Sequence, residues 1–363
     1  MLGGPLPATI KDIAARLGIS HSTVSRALGD FPYVSDALRR RVRETAAELN
    51  YRPNALARGL KEMHTRVVGL IIPDLMNDFY ATAATIIQST LAAEGYRLLL
   101  CVSGNDPKTE LAYLRAMRED RIEGLIWVPR STHDGALREY AEDDVPVIEF
   151  ARKASRPLDA VLADDSGGAQ AGTEHLLGLG HRRIGVIVGP LELSTGRERL
   201  EGYSRALRTA DIEVDDSLVK VGRFDRAWGR QATEELCDVP GAPTAIFATS
   251  SELVLGALHG LASRGRDVPA DISLVGFGDP DWFGVRRPSI STVRFATEEM
   301  ATAAVNALLL RMHARPAPRQ PIITRLSCSV VLRESTAPQG SARPRGPDRT
   351  QLKRDAFGRT PPP

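Results

Sequence analysis

The chain has 363 residues, 42% of them hydrophobic and 5% aromatic, with 47 basic and 45 acidic side chains. That length suits two or three domains with sizeable cores, and without any uncharged apolar run of about 18 residues no membrane span is expected. Cys101, Cys237 and Cys328 lie far apart and form no CxxC, which argues against a disulfide framework or a cysteine zinc site. The opening stretch MLGGPLPATIKDIA has neither a basic n-region nor an apolar h-region, so a signal peptide is not expected and the protein is expected in the cytoplasm.

The net charge of +2 is unevenly placed. Residues 1–62 carry ten basic and six acidic side chains and residues 337–363 carry six and two, which leaves the middle of the chain at −6. A basic head on an acidic body points to a polyanion at one end.

Residues 8–53 read as short helices. In IKDIAARLGISHSTVSRALG (10–29), Ile10, Ile13, Ala14 and Leu17 line one helical face, and Gly18 follows where a tight turn needs positive φ. Ser20 is placed as the N-cap of a second helix whose apolar face is Val24 and Leu28. Two short helices joined at a glycine make a helix-turn-helix, and the outer face of the second presents His21, Ser22, Ser25 and Arg26, side chains able to reach base edges or phosphates. A third helix is predicted from the cap Ser35 to about Asn50, and residues 54–65 read as a linker with helical propensity.

From residue 66 to 336 the pattern alternates. Short apolar runs at 67–73, 96–103, 124–129, 146–150, 160–164, 183–189, 244–250 and 272–278 read as buried strands. Between them, 80–94, 111–119, 167–179, 197–210 and 252–264 read as helices. This rhythm predicts parallel sheets covered on both faces, and the length predicts two Rossmann-like subdomains. Residues 337–363, rich in Pro, Gly and Arg, read as a disordered basic tail. No GxxxxGK[ST], GxSxG or HExxH occurs, and GLGHRR (178–183) lacks a third glycine, so neither an enzyme nor a cofactor is expected.

The stretch TIKDIAARLGISHSTVSRALGDFPYVSDALRRRVRETAAELNYRPNALARGLK (9–61) closely resembles the N-terminal domain of the LacI/GalR family. The likeness continues through VVGLIIPD, DDSGGAQAGTEHLLGLGHRRIGVIVGP, RLEGYSRAL, PTAIFA and VPADISLVGFGD. It implies a transcriptional repressor that binds palindromic operator DNA as a homodimer and is switched by a carbohydrate-like effector; control by a partner protein, or a corepressor mode, is the alternative. His21 and Ser22 would choose bases, Arg26 would contact a base edge or phosphate, and Thr9, Ser20, Thr23 and Ser25 would orient the domain on the backbone. Tyr51 would brace the third helix. Residues 54–60 match the family's hinge helix, with Asn54 as its cap, Ala57 within it, Leu60 as the minor-groove wedge and Lys61 beside the groove.

The body resembles a periplasmic-binding-protein-like fold, with subdomain N at 66–163 and 293–323 and subdomain C at 164–292 and 324–336. The chain would cross between them near Ala163, Thr292 and Thr324. By the same resemblance Phe79, Arg199 and Phe224 face the ligand, Thr195 accompanies Arg199, and the cleft lies at the carboxyl ends of the strands. Three positions depart from the family: Ala151 before Arg152 replaces an aspartate, Ser250 and Ser251 replace Asn-Asp, and Gly278 replaces the first aspartate of GFDD while Asp279 keeps the second. A simple hexose is therefore not expected, and Arg152, Asp279 and Trp282 are candidate substitutes. Leu193 stands where purine-sensing members carry a base-reading arginine, which argues against a nucleobase.

Overall fold

A computed structural model describes residues 8–29, 33–49, 51, 65–154, 157–314 and 320–340. The chain divides into two compact units, with the break between Thr65 and Arg66. In the first unit, α1 (Ile10–Leu17), α2 (His21–Leu28) and α3 (Asp36–Glu48) pack on a core of Ile13, Ala14, Val24, Ala27, Val42 and Ala46. Gly18 ends α1 at φ +66, a backbone state that costs a residue with a Cβ about 1–2 kcal/mol. Its N–H closes the helix on the carbonyl of Ala14. The Ser20 hydroxyl accepts from Thr23 N–H at 3.1 Å and so starts α2.

In the second unit, the first sheet has the order β11-β5-β4-β3-β1-β2, all parallel. Its strands are β1 (Val67–Ile72), β2 (Arg97–Val102), β3 (Gly124–Trp127), β4 (Val147–Phe150), β5 (Asp159–Ala163) and β11 (Ile323–Leu326). Helices α4 (Asp78–Ala93) and α12 (Thr297–His313) cover one face, α5 (Pro107–Glu119) and α6 (Asp134–Glu142) the other. Alternate residues of β1 feed opposite cores: Val68, Leu70 and Ile72 one way, Ile71 the other. Burial on both faces is why the strand reads as an unbroken apolar run.

The second sheet repeats the plan as β12-β10-β9-β8-β6-β7, parallel except for the antiparallel pair β10 and β12. These strands are β6 (Ile184–Val188), β7 (Val219–Val221), β8 (Ala245–Ala248), β9 (Ser273–Phe277), β10 (Ser291–Arg294) and β12 (Ser329–Val331). Its helices are α7 (Asp165–Gly178) and α8 (Ser194–Thr209) on one face, with α9 (Arg226–Asp238), α10 (Ser251–Ser263) and the short α11 (Asp281–Val285) on the other.

The crossings between the sheets correct the expected ones. β10 runs to Arg294 in the second sheet, so the second crossing is Phe295–Ala296 and not near Thr292. Residues 323–326 pair with β5 in the first sheet, so the third crossing is Ser327–Cys328, and Thr324 to Leu326 do not belong to subdomain C. The tail also starts later than residue 337. Ala337 N–H donates to Ser273 Oγ at 3.0 Å, its carbonyl accepts from His181 Nε2 at 3.0 Å, and Gln339 N–H reaches Leu179 O at 2.9 Å. The rest of the predicted tail, 341–363, lies outside the described residues.

Helices α7 and α8 approach closely at Gly202, where a Cβ would lie 2.1 Å from the carbonyl oxygen of Ser166 and 2.9 Å from Ala169 Cβ. Gly202→Ala should therefore destabilise the body by about 1–3 kcal/mol through overpacking against backbone, read as a lowered urea midpoint at unchanged slope. An unchanged midpoint would mean that the helices separate at no cost.

Candidate functional site

Two sites emerge, one in each unit. In the first, His21, Ser22 and Arg26 on α2 are exposed, and Thr23 and Ser25 are half-buried. The cap hydroxyl of Ser20 lies 2.7 Å from Ser22 Oγ and 2.8 Å from Thr23 Oγ1, so three of the predicted phosphate and base ligands form one hydroxyl cluster at the helix N-terminus. Such a terminus, with its free N–H groups, attracts phosphate. Thr9 sits at the start of α1, where both its N–H and its hydroxyl donate to Asp12 Oδ2, at 2.7 and 2.8 Å; these bonds hold the Asp12 carboxyl below its ordinary range. Tyr51 packs against the three-helix core. Asn54, Ala57, Leu60 and Lys61 lie outside the described residues.

In the second unit, the strands of both sheets end on one cavity of about 940 Å³. Phe79, Arg152, Thr195, Arg199, Phe224, Ser250, Asp279 and Trp282 all line it. They come together because each follows a parallel strand. Asn77 caps α4 and sets Phe79 in its first turn. Thr195 is in the first turn of α8. The Ser250 hydroxyl caps α10 by accepting from Leu253 N–H at 3.2 Å.

Arg199 is the best held of these groups. Its Nε and Nη2 each lie 2.7 Å from Asp165 Oδ1, and Nη1 donates to Thr249 O at 2.6 Å. The guanidinium carbon lies 4.2 Å from the Phe277 ring centre, 5.4 Å from Phe295 and 5.8 Å from Phe224. Three rings and a buried carboxylate fix the cation's plane at the cavity wall. Phe79 is less free than expected: it stacks on Phe150 at 5.8 Å and meets Phe295 at 4.8 Å, so it is partly core as well as lining. Asp279 is committed too, in a two-pronged pair with Arg333 at 2.7 and 3.0 Å. Trp282 packs edge-on against Phe283 at 4.5 Å.

Sequence reasoning missed Asp165, Asn105, Phe277 and Phe295, which also line the cavity. Asp165 lay within a segment read as the run-up to a helix, and its partner is 34 residues away, a separation that local pattern does not reveal. Contacts that join the lobes among the described residues include Arg130 to Glu192 at 3.0 Å, Arg325 to Glu198 at 2.9 Å, and Lys153 N–H to Ser194 Oγ at 3.0 Å. The loop carrying Arg130 is itself held by buried Glu110, which accepts from the backbone N–H of Arg130 at 2.9 Å and of Ser131 at 3.3 Å, and lies 2.9 Å from His133 Nε2.

Asp165→Asn should destabilise the body by about 3–5 kcal/mol, because it leaves the Arg199 charge buried and unpaired; urea unfolding measures it, and a loss under 1 kcal/mol, about a fivefold change in the folding equilibrium, would show that the cation relaxes to solvent. Burial pushes the Glu110 carboxyl up from 4.5 to about 7 and the His133 imidazole down. The folded chain thus holds the Glu110 proton more tightly than the unfolded chain, so this group's contribution to stability falls as pH rises from about 4.5 to about 7 and is level above. Glu110→Gln should flatten that fall when urea midpoints near pH 5 and near pH 8 are compared; an unaltered fall would assign it to other groups.

Known proteins bear on both units. Residues 9–54 match the family described as "Bacterial regulatory proteins, lacI family", and residues 173–336 match "Periplasmic binding protein-like domain". The HTH-type transcriptional regulator DegA of Bacillus subtilis (strain 168) is 31% identical over 92% of this chain and 99% of its own. A crystal structure of the Lac repressor dimer bound to operator and the anti-inducer ONPF superposes with a TM-score of 0.79 at 26% identity, over 92% of this chain and all of that one. A complex of the transcriptional regulator CelR with cellobiose gives 0.70 at 29% identity, over 90% and 99% of the two chains. With its helix-turn-helix unit, its two-lobed body and this likeness along nearly its whole length, the chain belongs to the LacI family of bacterial transcriptional regulators and is not an enzyme.

Proposed function

We propose that this regulator is a cytoplasmic repressor that binds a palindromic operator as a homodimer and is released when a carbohydrate-like effector fills the cavity between its lobes. The observation that carries the reading is the convergence of eight predicted ligand residues, drawn from both lobes, on one cavity around the caged Arg199. A ligand touching both lobes binds their open and closed arrangements unequally, and only such a difference shifts an equilibrium. Its volume lies within the range of small-molecule sites. Control by a partner protein would instead go with a filled cleft.

At the DNA end, α2 enters the major groove with His21, Ser22 and Arg26 toward base edges, Thr9, Ser20, Thr23 and Ser25 toward phosphates, and Tyr51 behind them. Asn54, Ala57, Leu60 and Lys61 form a hinge segment whose leucine opens a central base step from the minor groove. Two-fold symmetry of the protein is mirrored in the operator half-sites.

Fluorescence anisotropy on a set of palindromic duplexes tests this. The chain should prefer one palindrome; Arg26→Ala should weaken binding to it by about 1–3 kcal/mol, and Leu60→Ala should abolish the preference while leaving salt-dependent nonspecific binding. Equal affinity for all duplexes at low salt, where nonspecific attraction is strongest, would refute the operator reading.

A further inference from the structure

The cavity wall carries a buried charge without a direct ion pair. Among the described residues two arginines are buried, Arg199 at 6% exposure and Arg152 at 4%. Arg199 has Asp165. Arg152 has no carboxylate within ion-pair distance: its Nη1 donates to the neutral Asn105 Oδ1 at 2.7 Å, its Nε is buried without a hydrogen-bond partner, and its charge reaches the buried Glu110 carboxyl only at longer range. An unpaired buried cation is costly enough that proteins rarely keep one without a counter-ion. Arg152 is aimed by a tight turn, in which Ala151 takes φ +59 and Arg152 N–H bonds back to Phe150 O at 2.7 Å.

A second orphan faces the same space. Thr195 is 5% exposed, lines the cavity, and its hydroxyl has no partner. It sits in the first turn of the sixteen-residue α8, whose N-cap Leu193 offers no side chain to the free N–H groups. The neighbours of both orphans touch: Lys153 N–H donates to Ser194 Oγ at 3.0 Å, which brings the Arg152 turn of one lobe against the α8 N-terminus of the other. In the rest of the lining the carboxylates outnumber the one further cation, the exposed Arg294. Asp74, Asp78, Asp281, Glu298 and Glu299 also face the cavity, and Asp78 feels Glu252 and Asp281 closely enough that its carboxyl is raised, after burial, by their charge.

The geometry points to an effector that is a polyhydroxylated monocarboxylate, a sugar acid, with its carboxylate on Arg152, Thr195 and the α8 N-terminus and its hydroxyls donating to the acidic wall. The Nε–Nη2 edge of a guanidinium matches a carboxylate two-pronged. The buried Arg152 takes one negative charge, and the five wall carboxylates, set against the single exposed Arg294, disfavour the second charge of a phosphate. A neutral sugar would leave Arg152 as it is. The inference rests on the effector reading above and narrows it to a ligand class.

Isothermal titration calorimetry on the full chain tests it, with D-gluconate, D-galactonate, D-glucuronate and D-galacturonate against D-glucose, D-galactose and D-glucose 6-phosphate. At least one acid should bind, and its neutral counterpart should not. Arg152→Met should weaken that acid by about thirtyfold or more, the loss expected when one side of a buried charge pair is removed; Thr195→Val should weaken it less. The ligand-free Arg152→Met protein should melt no lower than the parent, because the substitution removes an uncompensated charge; a lower melting temperature would make Arg152 a structural residue and overturn the inference. So would preference for a neutral sugar or the phosphate, binding of no acid, or acid binding indifferent to Arg152→Met. Operator binding without ligand is measured separately, so these failures leave the repressor reading standing.

Discussion

The buried pair between Arg199 and Asp165 sets the terms for the body. Asp165 opens α7 directly after the first crossing and Arg199 lies one turn into α8, so the pair ties the crossing to the helix that walls the cavity. Burying both charges is tolerable because two guanidinium nitrogens share one carboxylate oxygen at 2.7 Å and further bonds finish the donors. Thr249 O supplies one, and the faces of Phe277, Phe295 and Phe224 supply the rest of the environment. The same rings continue as a chain: Phe295 meets Phe79, which stacks on Phe150 in the first lobe, and Phe277 stacks near Phe247 in the second. The cavity floor is thus a continuous aromatic seam between two cores with one paired cation set into it.

Around that seam the two sheets use one plan. In each, the first strand lies between the second and third, and the loops on either side of that reversal open the crevice in which α/β proteins bind ligands. Two such crevices face each other here. This explains why residues as distant in sequence as Phe79, Thr195 and Asp279 share a wall, and why the polar groups among them cluster at helix starts: a helix following a strand begins at the carboxyl end of that strand, and its first turn points into the crevice.

The pattern of strands and helices was legible wherever a segment is buried on both faces, because continuous apolar runs survive in the sequence without reference to tertiary context. The helix-turn-helix was legible for another reason: Gly18 and Ser20 carry their conformations in their chemistry. What escaped was of two kinds. Helix starts were placed late at Tyr80, Gly167 and Arg197: the caps Asn77 and Asp164 are polar residues that read as loop until their bonds to backbone N–H are seen, and the third helix starts behind Leu193 with no side-chain cap to mark it. The short edge strands β7, β11 and β12 carry half-exposed or exposed residues and give little apolar signal. The candidate ligand residues came from family likeness, position by position; the partners that decide their availability, Arg333 for Asp279 and Asp165 for Arg199, lie tens of residues away.

The three crossings have a mechanical consequence. Asp164, Phe295–Ala296 and Ser327–Cys328 are the only residues between elements of one lobe and elements of the other among those described, and none of these tethers exceeds two residues. Tethers so short forbid the lobes to slide or separate and leave them a rocking motion about one line. Ala163, Asp165, Phe295, Ala296 and Ser327 line the cavity, so an occupant sits beside the fulcrum itself. Close to a fulcrum, displacements are small and forces large; far from it the reverse holds. A molecule that shifts the walls by a fraction of an ångström is therefore geared up, and the outer ends of the lobes travel several times as far as the side chains that grip it.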